Sequence, residues 1–142
     1  MYASKDKKTV DLQLYFQKIE EGFSEICTNE KIVLKLNVDS ISSDSDSAMY
    51  LGLLVTELII NSVKHAFKDD QSKNINIEII KVQSQFKFNY SDNGQKNNCQ
   101  EIHPILVKQL CQQMGVSPEI IIKNGFYLSF IKFFKLFSSY EN

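Results

Sequence analysis

Glu57 and Asn61 stand four residues apart in a run, Ala48-Met-Tyr-Leu-Gly-Leu-Leu-Val-Thr-Glu-Leu-Ile-Ile-Asn-Ser-Val-Lys-His-Ala-Phe67, that is apolar through most of its middle. At helical spacing both side chains leave the same face, and Lys64 and His65 carry that face one turn further. A carboxylate in such surroundings is costly to bury unless something pairs with it, and an amide one turn on is equally out of place in a core. Further along, Asp92-Asn-Gly94 sits where a strand gives way to a loop. Each piece has a plain reading. Polar residues that interrupt a helix mark a solvated stripe or satisfy nearby backbone, and Asp, Asn and Gly all favour turns. Taken together they describe a set of acceptors and cationic or titratable groups able to hold a polar ligand.

The other reactive residues offer less. Cys27, Cys99 and Cys111 are odd in number and show neither a CxxC pair nor metal-ligand spacing, which reads as buried or incidental thiols in a reducing compartment. His103, ahead of Pro104, reads as an exposed helix-start residue. The formal net charge of −1, with Lys and Asp/Glu mixed along the chain, is not the basic footprint of a nucleic-acid binder. No apolar run reaches the roughly 18 to 20 residues that cross a bilayer, and the polar N-terminus lacks the apolar core of a signal peptide. These features imply no nucleic-acid partner, no membrane contact by this segment, and a cytoplasmic location, whether or not a parent protein is anchored in a membrane.

Elements that could position the polar set follow from periodicity. Asp11 to Cys27 places Leu12, Tyr15, Phe16, Ile19, Phe23 and Ile26 on one face of an amphipathic helix. Lys31 to Val38 alternates as a half-buried strand, and Ser42 to Ser47 is rich in helix-capping residues. The long helix, from about Asp46 to Phe67, should be buried on most sides. Ile75 to Val82 and Gln85 to Tyr90 read as strands around a turn at Gln83-Ser84. A third helix runs from His103 or Pro104 to Met114, ended by Gly115. Ser117 to Lys123 and Phe126 to Phe137 form a hairpin turned by Asn124-Gly125. The order predicts an α+β two-layer sandwich, a mixed and mostly antiparallel sheet with three helices on one face. A single domain would span residues 10–137. Residues 1–9 read as a flexible N-terminal segment or the cut edge of a longer protein, and 138–142 as a C-terminal tail.

Leu51 to Phe67 resembles the N box of the histidine-kinase ATPase superfamily, in the ELxxNxxKHAF form of kinases related to bacterial light and stress sensors. Ser91-Asp-Asn-Gly94 follows two strands later, where that family has its first glycine box. The upstream helix, the strand around Ile32 to Val38 and the Asn124-Gly125-Phe126 hairpin fall in family order, so the resemblance covers roughly residues 10–136. It implies a Bergerat-type fold and the ATP-binding catalytic domain of a two-component sensor kinase. Such a domain passes the γ-phosphoryl of Mg-ATP to a histidine-bearing dimerisation domain, with a response regulator served indirectly. By the same resemblance Asn61 coordinates Mg²⁺ through the phosphates, and Glu57 orients the attacking group or a metal-bound water. Lys64 and His65 contact phosphate, Asp92 accepts from the adenine amino group, and Gly94 lets backbone approach the base.

The pattern then breaks. Lys96 stands where the family has a second glycine, and Asn97 to Pro104 contains none, although a second glycine box should open the next helix there. Backbone amides of such a box would cradle the phosphates. Neither His65 nor His103 lies in a phospho-acceptor sequence of the family. Two readings result: a kinase domain with weakened nucleotide binding, or a degenerate kinase-like domain that docks a protein or assists phosphotransfer.

Overall fold

The computed structural model describes residues 9–95 and 105–133. Residues 1–8 of the expected N-terminal segment, Lys96, Cys99, His103 and Pro104 at the expected start of the third helix, the end expected for the last strand and the C-terminal tail lie outside the described residues. The order is β1 (Thr9–Asp11), α1 (Leu12–Glu30), β2 (Ile32–Val38), β3 (Ser42–Asp44), α2 (Ser45–Asn61) with a π-helical turn (Ser62–Ala66), β4 (Lys73–Val82), β5 (Gln85–Asp92), α3 (Ile105–Met114), β6 (Glu119–Ile122) and β7 (Phe126–Phe133).

Asp11 starts α1 by accepting the amide hydrogens of Gln13 and Leu14 at 3.0 and 3.3 Å. Lys31 ends it in the left-handed region (φ 60°), its N–H turning back to the Cys27 and Thr28 carbonyls. The helix thus outlasts Cys27 by three polar residues that carry no apolar period. Cys27 is buried and Ile26 is 41% exposed, so the thiol rather than the expected isoleucine faces inward. Ser42–Asp44, expected only to cap a helix, first pairs antiparallel with β1 through Val10 and Ser43. Asp44 then caps α2 by accepting the Ser47 amide at 3.0 Å.

The main sheet has the order β2-β4-β5-β7-β6. β2 and β4 are parallel, which requires a crossover, and β3 and α2 supply it. The remaining pairs are antiparallel. β6 and β7 meet at Ile122 and Phe126, with positive φ at Asn124 and Gly125. Lys123 has left the strand, so the connection is one residue longer than the expected two-residue turn.

Strand alternation sorts one face to the core: Ile75, Ile77 and Ile79 on β4; Phe86, Phe88, Tyr90 and Asp92 on β5; Phe126, Leu128 and Phe130 on β7. Helices cover this face, α2 contributing Leu51, Leu54, Val55, Leu58 and Ile59. Burying each such side chain stabilises the fold by about 1.5–3 kcal/mol. The expectation for α2 holds on most of its surface, but Met49 and Leu53 are 46% and 50% exposed. Ser45–Ala66 is also long and apolar enough, by length and composition, to cross a membrane. Here its apolar residues form the centre of the α/β core.

Candidate functional site

The end of α2 and the end of β5 meet over the core. β5 runs through Asp92, two residues beyond the Tyr90 expected to end it, so Asp92 continues the inward row of Phe86, Phe88 and Tyr90. Asp92 is only 4% exposed. Its Oδ1 accepts the Gly94 amide hydrogen at 2.9 Å, the Phe126 amide also bonds the carboxyl, and Oδ2 accepts from Ser62 Oγ at 2.6 Å. Burial raises the carboxyl above the ordinary value of 3.8, against the lowering effect of the Ser62 hydroxyl and of the Gly94 and Phe126 amides.

Ser62 sits where α2 passes into its π-helical turn, a feature often found at functional sites. Its hydroxyl is also 2.6 Å from the Tyr90 hydroxyl, which lies 3.0 Å from the Leu58 carbonyl. Ser62 is 3% and Tyr90 1% exposed. Burial drives the Tyr90 phenol well above its usual 10.0; the bond to Ser62 opposes this, and the nearby Asp92 and Cys27 add to it.

Two glycines fix the backbone on either side of the carboxyl. A Cβ on Gly94 would run into the carbonyl and methyl groups of Ala66, so the fold itself demands this glycine. Gly125, at φ 138°, packs against the Asp92 carbonyl and would be strained with any side chain. From the far side Gln71 staples the loop with its whole amide. Its Nε2 donates to the Asn93 and Ser72 carbonyls at 2.8 and 3.0 Å, and its Oε1 accepts from Gln95 and Lys68 amides at 2.8 and 3.0 Å. Asn93 completes the latch, accepting the Asn74 amide at 2.8 Å and donating to the Ser72 carbonyl at 3.0 Å.

Leu58, Asn61, Ser62, Ala66, Asp92 and Phe126 line a cavity of about 10 Å³, roughly the room one water needs. The structure therefore brings Asn61 and Asp92, singled out in the sequence, to one cleft. Glu57 and Asn61 are half-buried on α2, and neither side chain makes a hydrogen bond or ion pair with a described residue. Lys64 is exposed and His65 half-buried. Both fall in the π-helical turn, where the 3.6-residue spacing used to align them with Glu57 no longer applies. Larger grooves lie elsewhere, about 280 Å³ between α1 and β2 and about 350 Å³ beside Asp44, Tyr50 and Lys132; neither gathers any of these residues. Among the described residues no cluster of three His, Cys, Asp or Glu is placed to hold a metal ion.

Sequence reasoning passed over Ser62, Tyr90, Gln71 and Asn93. Tyr90 was within reach, since it lies two residues before Asp92 on the same strand face. Gln71 carried no signal, because its role depends on a loop folding back.

A scan against protein-family models finds no match, and no curated protein matches the chain. Solved structures do. The histidine kinase domain of the EL346 blue-light-activated histidine kinase of Erythrobacter litoralis superposes with a TM-score of 0.76 at 21% identity, over 88% of this chain and 62% of that one. In the longer structure of the same kinase the match covers 42% of its length. The catalytic domain of histidine kinase ThkA superposes at 0.69 and 12% identity, over 90% of this chain and 95% of that one. The fold is that of histidine kinase catalytic domains, as the N-box resemblance implied, and this chain spans less than two thirds of the blue-light kinase structures.

Proposed function

We propose that the cleft between α2 and β5 is a nucleotide site, and that the chain is the ATP-binding catalytic domain of a two-component sensor histidine kinase. The observation that carries this reading is the convergence of Asn61 and Asp92 on one cleft in this fold. Asp92 has three donors from the protein, and a carboxylate can accept about four, leaving room for one amino hydrogen of a base. Asn61 presents an amide oxygen suited to a hard cation that arrives bound to phosphates. Glu57, on the same helix face, would orient the attacking group, with Lys64 and His65 toward the phosphates. Mg-ATP supplies the transferable phosphoryl group, and the protein's part is positioning and charge neutralisation. The acceptor is a histidine on a separate dimerisation domain, in a cytoplasmic pathway that ends on a response regulator.

Nucleotide binding is weakened in this reading, because residues 95–104 contain no glycine. Each lost charge-assisted amide contact removes about 1.5–3 kcal/mol, tenfold or more in affinity. That same absence, with a cavity of only about 10 Å³, favours a second reading: a nucleotide-free domain that docks a protein or assists phosphotransfer. Calorimetric titration with ADP, with and without Mg²⁺, separates the two. Micromolar binding that disappears in Asp92→Ala supports the kinase reading. No binding up to millimolar nucleotide discards it in favour of docking.

A further inference from the structure

Three short contacts run in series through the buried end of the cleft: Asp92 Oδ2 to Ser62 Oγ at 2.6 Å, Ser62 Oγ to Tyr90 Oη at 2.6 Å, and Tyr90 Oη to the Leu58 carbonyl at 3.0 Å. Ser62 and Tyr90 own one hydroxyl hydrogen each, so two hydrogens cannot bridge three contacts. A third, on the carboxyl, completes the series: Asp92 donates to Ser62, Ser62 to Tyr90, and Tyr90 to Leu58. When the carboxyl is ionised, Ser62 must turn its hydrogen toward it. Tyr90 must then turn toward Ser62, or leave a 2.6 Å oxygen pair without a hydrogen. The series therefore reverses direction with the charge on Asp92.

We propose that Ser62 and Tyr90 are positioning residues: a buried hydroxyl relay that orients the Asp92 carboxyl and governs its ionisation, and so its readiness to accept a ligand's amino group. The relay rests on the nucleotide reading for its ligand, but not for its own chemistry. A donor approaching Asp92 favours the ionised form, so wherever the carboxyl is still protonated binding turns the relay toward the carboxyl and releases one proton to solvent. Among the described residues, and beside the Gly94 amide, few other groups bear on this carboxyl. β5 offers Tyr90, α1 offers the Cys27 thiol beyond Tyr90, the π-helical turn offers the Ser62 hydroxyl, and β7 offers the Phe126 amide. Burial raises the Cys27 thiol as well, so it stays uncharged around neutrality and leaves the relay to the two hydroxyls.

The test is a carbon-13 titration of the Asp92 carboxyl in the 142-residue chain without nucleotide, for wild type, Ser62→Ala, Tyr90→Phe and the double variant. ADP affinity is measured across the same pH range. Ser62→Ala removes a donor to the charged form, so the midpoint should rise by about one pH unit. Tyr90→Phe keeps the buried ring. It should move the midpoint when Ser62 is present and add nothing when Ser62 is alanine. An unchanged midpoint in Ser62→Ala overturns the relay, as does an equal Tyr90→Phe effect in both backgrounds. Midpoints that move as described in a chain that fails to bind ADP uphold the relay and discard the nucleotide reading. If ADP binds, the acid limb of its affinity profile should follow the carboxyl midpoint in each variant.

Discussion

At the end of β5 the Asp92 carboxyl is held by one hydroxyl and two amides, its neighbouring glycines fill spaces that no side chain could share, and Gln71 closes the loop behind it. On α2, at the other side of the cleft, Glu57 and Asn61 are half-buried and Lys64 is exposed. The β5 side is determined by the fold, since its polar groups satisfy one another. On the α2 side Ser62 and the buried apolar residues are tied into the core. The side chains of Glu57 and Asn61 make no hydrogen bond or ion pair with a described residue and are the groups placed to meet a ligand. Substitutions on the first side should therefore change stability and binding together, in either direction, whereas those of Glu57 and Asn61 on the second should change binding alone.

The largest effect is expected at Gly94. Gly94→Ala forces a methyl group into Ala66, and either the π-helical turn or the end of β5 must move. Overpacking of this kind costs about 1–3 kcal/mol, and the upper end applies because part of the obstacle is backbone. Urea unfolding should show the loss as a lower midpoint. A variant as stable as wild type would mean that the β5 side yields more easily than its packing implies.

A smaller effect, readable by its pH dependence, is expected from Asp92→Asn. The amide copies the protonated carboxyl: its oxygen accepts the backbone amides while its nitrogen donates to Ser62, so the hydroxyl series keeps its direction. Asp92 is raised in the folded protein, so its favourable contribution is complete below the ordinary 3.8 and is lost as pH climbs through the raised folded value. The substituted amide never ionises. Thermal unfolding should therefore show the two proteins alike in acid, with the variant becoming the more stable as pH rises through that window and staying so above it. On the proposed nucleotide reading, ADP binding should weaken at neutral pH, because the amide would offer a donor where the base needs an acceptor. A variant less stable than wild type at pH 7 would show that the ionised carboxyl strengthens the fold.

The same contrast explains what was legible in the sequence. The α+β order, the alternation of β4 and of β5 as far as Tyr90, and the Glu57–Asn61 spacing were readable because periodicity reports burial directly. Asp92 was legible as the head of Asp92-Asn-Gly94 at a strand-to-loop junction, and its adenine-side role only by resemblance, yet periodicity ends the strand at Tyr90, because a buried aspartate breaks an apolar alternation. The π-helical turn was not legible, since Ser-Val-Lys-His-Ala satisfies a 3.6-residue pattern as well as a wider one. Strands β1 and β3 are three residues each, too short for alternation to register. Gln71 and Asn93 act through backbone amides brought together only by the fold.

The smallest effect on stability, and the sharpest check of the comparison, comes from Asn61→Ala. No described residue hydrogen-bonds the amide, and alanine is the better helix former, so unfolding should change by no more than about 0.5 kcal/mol and in the stabilising direction if at all. Mg²⁺-dependent ADP binding should nevertheless weaken about tenfold, one charge-assisted contact's worth, while the Mg²⁺-independent part stays put. Binding lost without stability lost is what a ligand-facing side chain predicts. A fall of more than about 1 kcal/mol in unfolding free energy would place Asn61 among the groups that hold the fold together, and the two sides of the cleft would then differ in degree and not in kind.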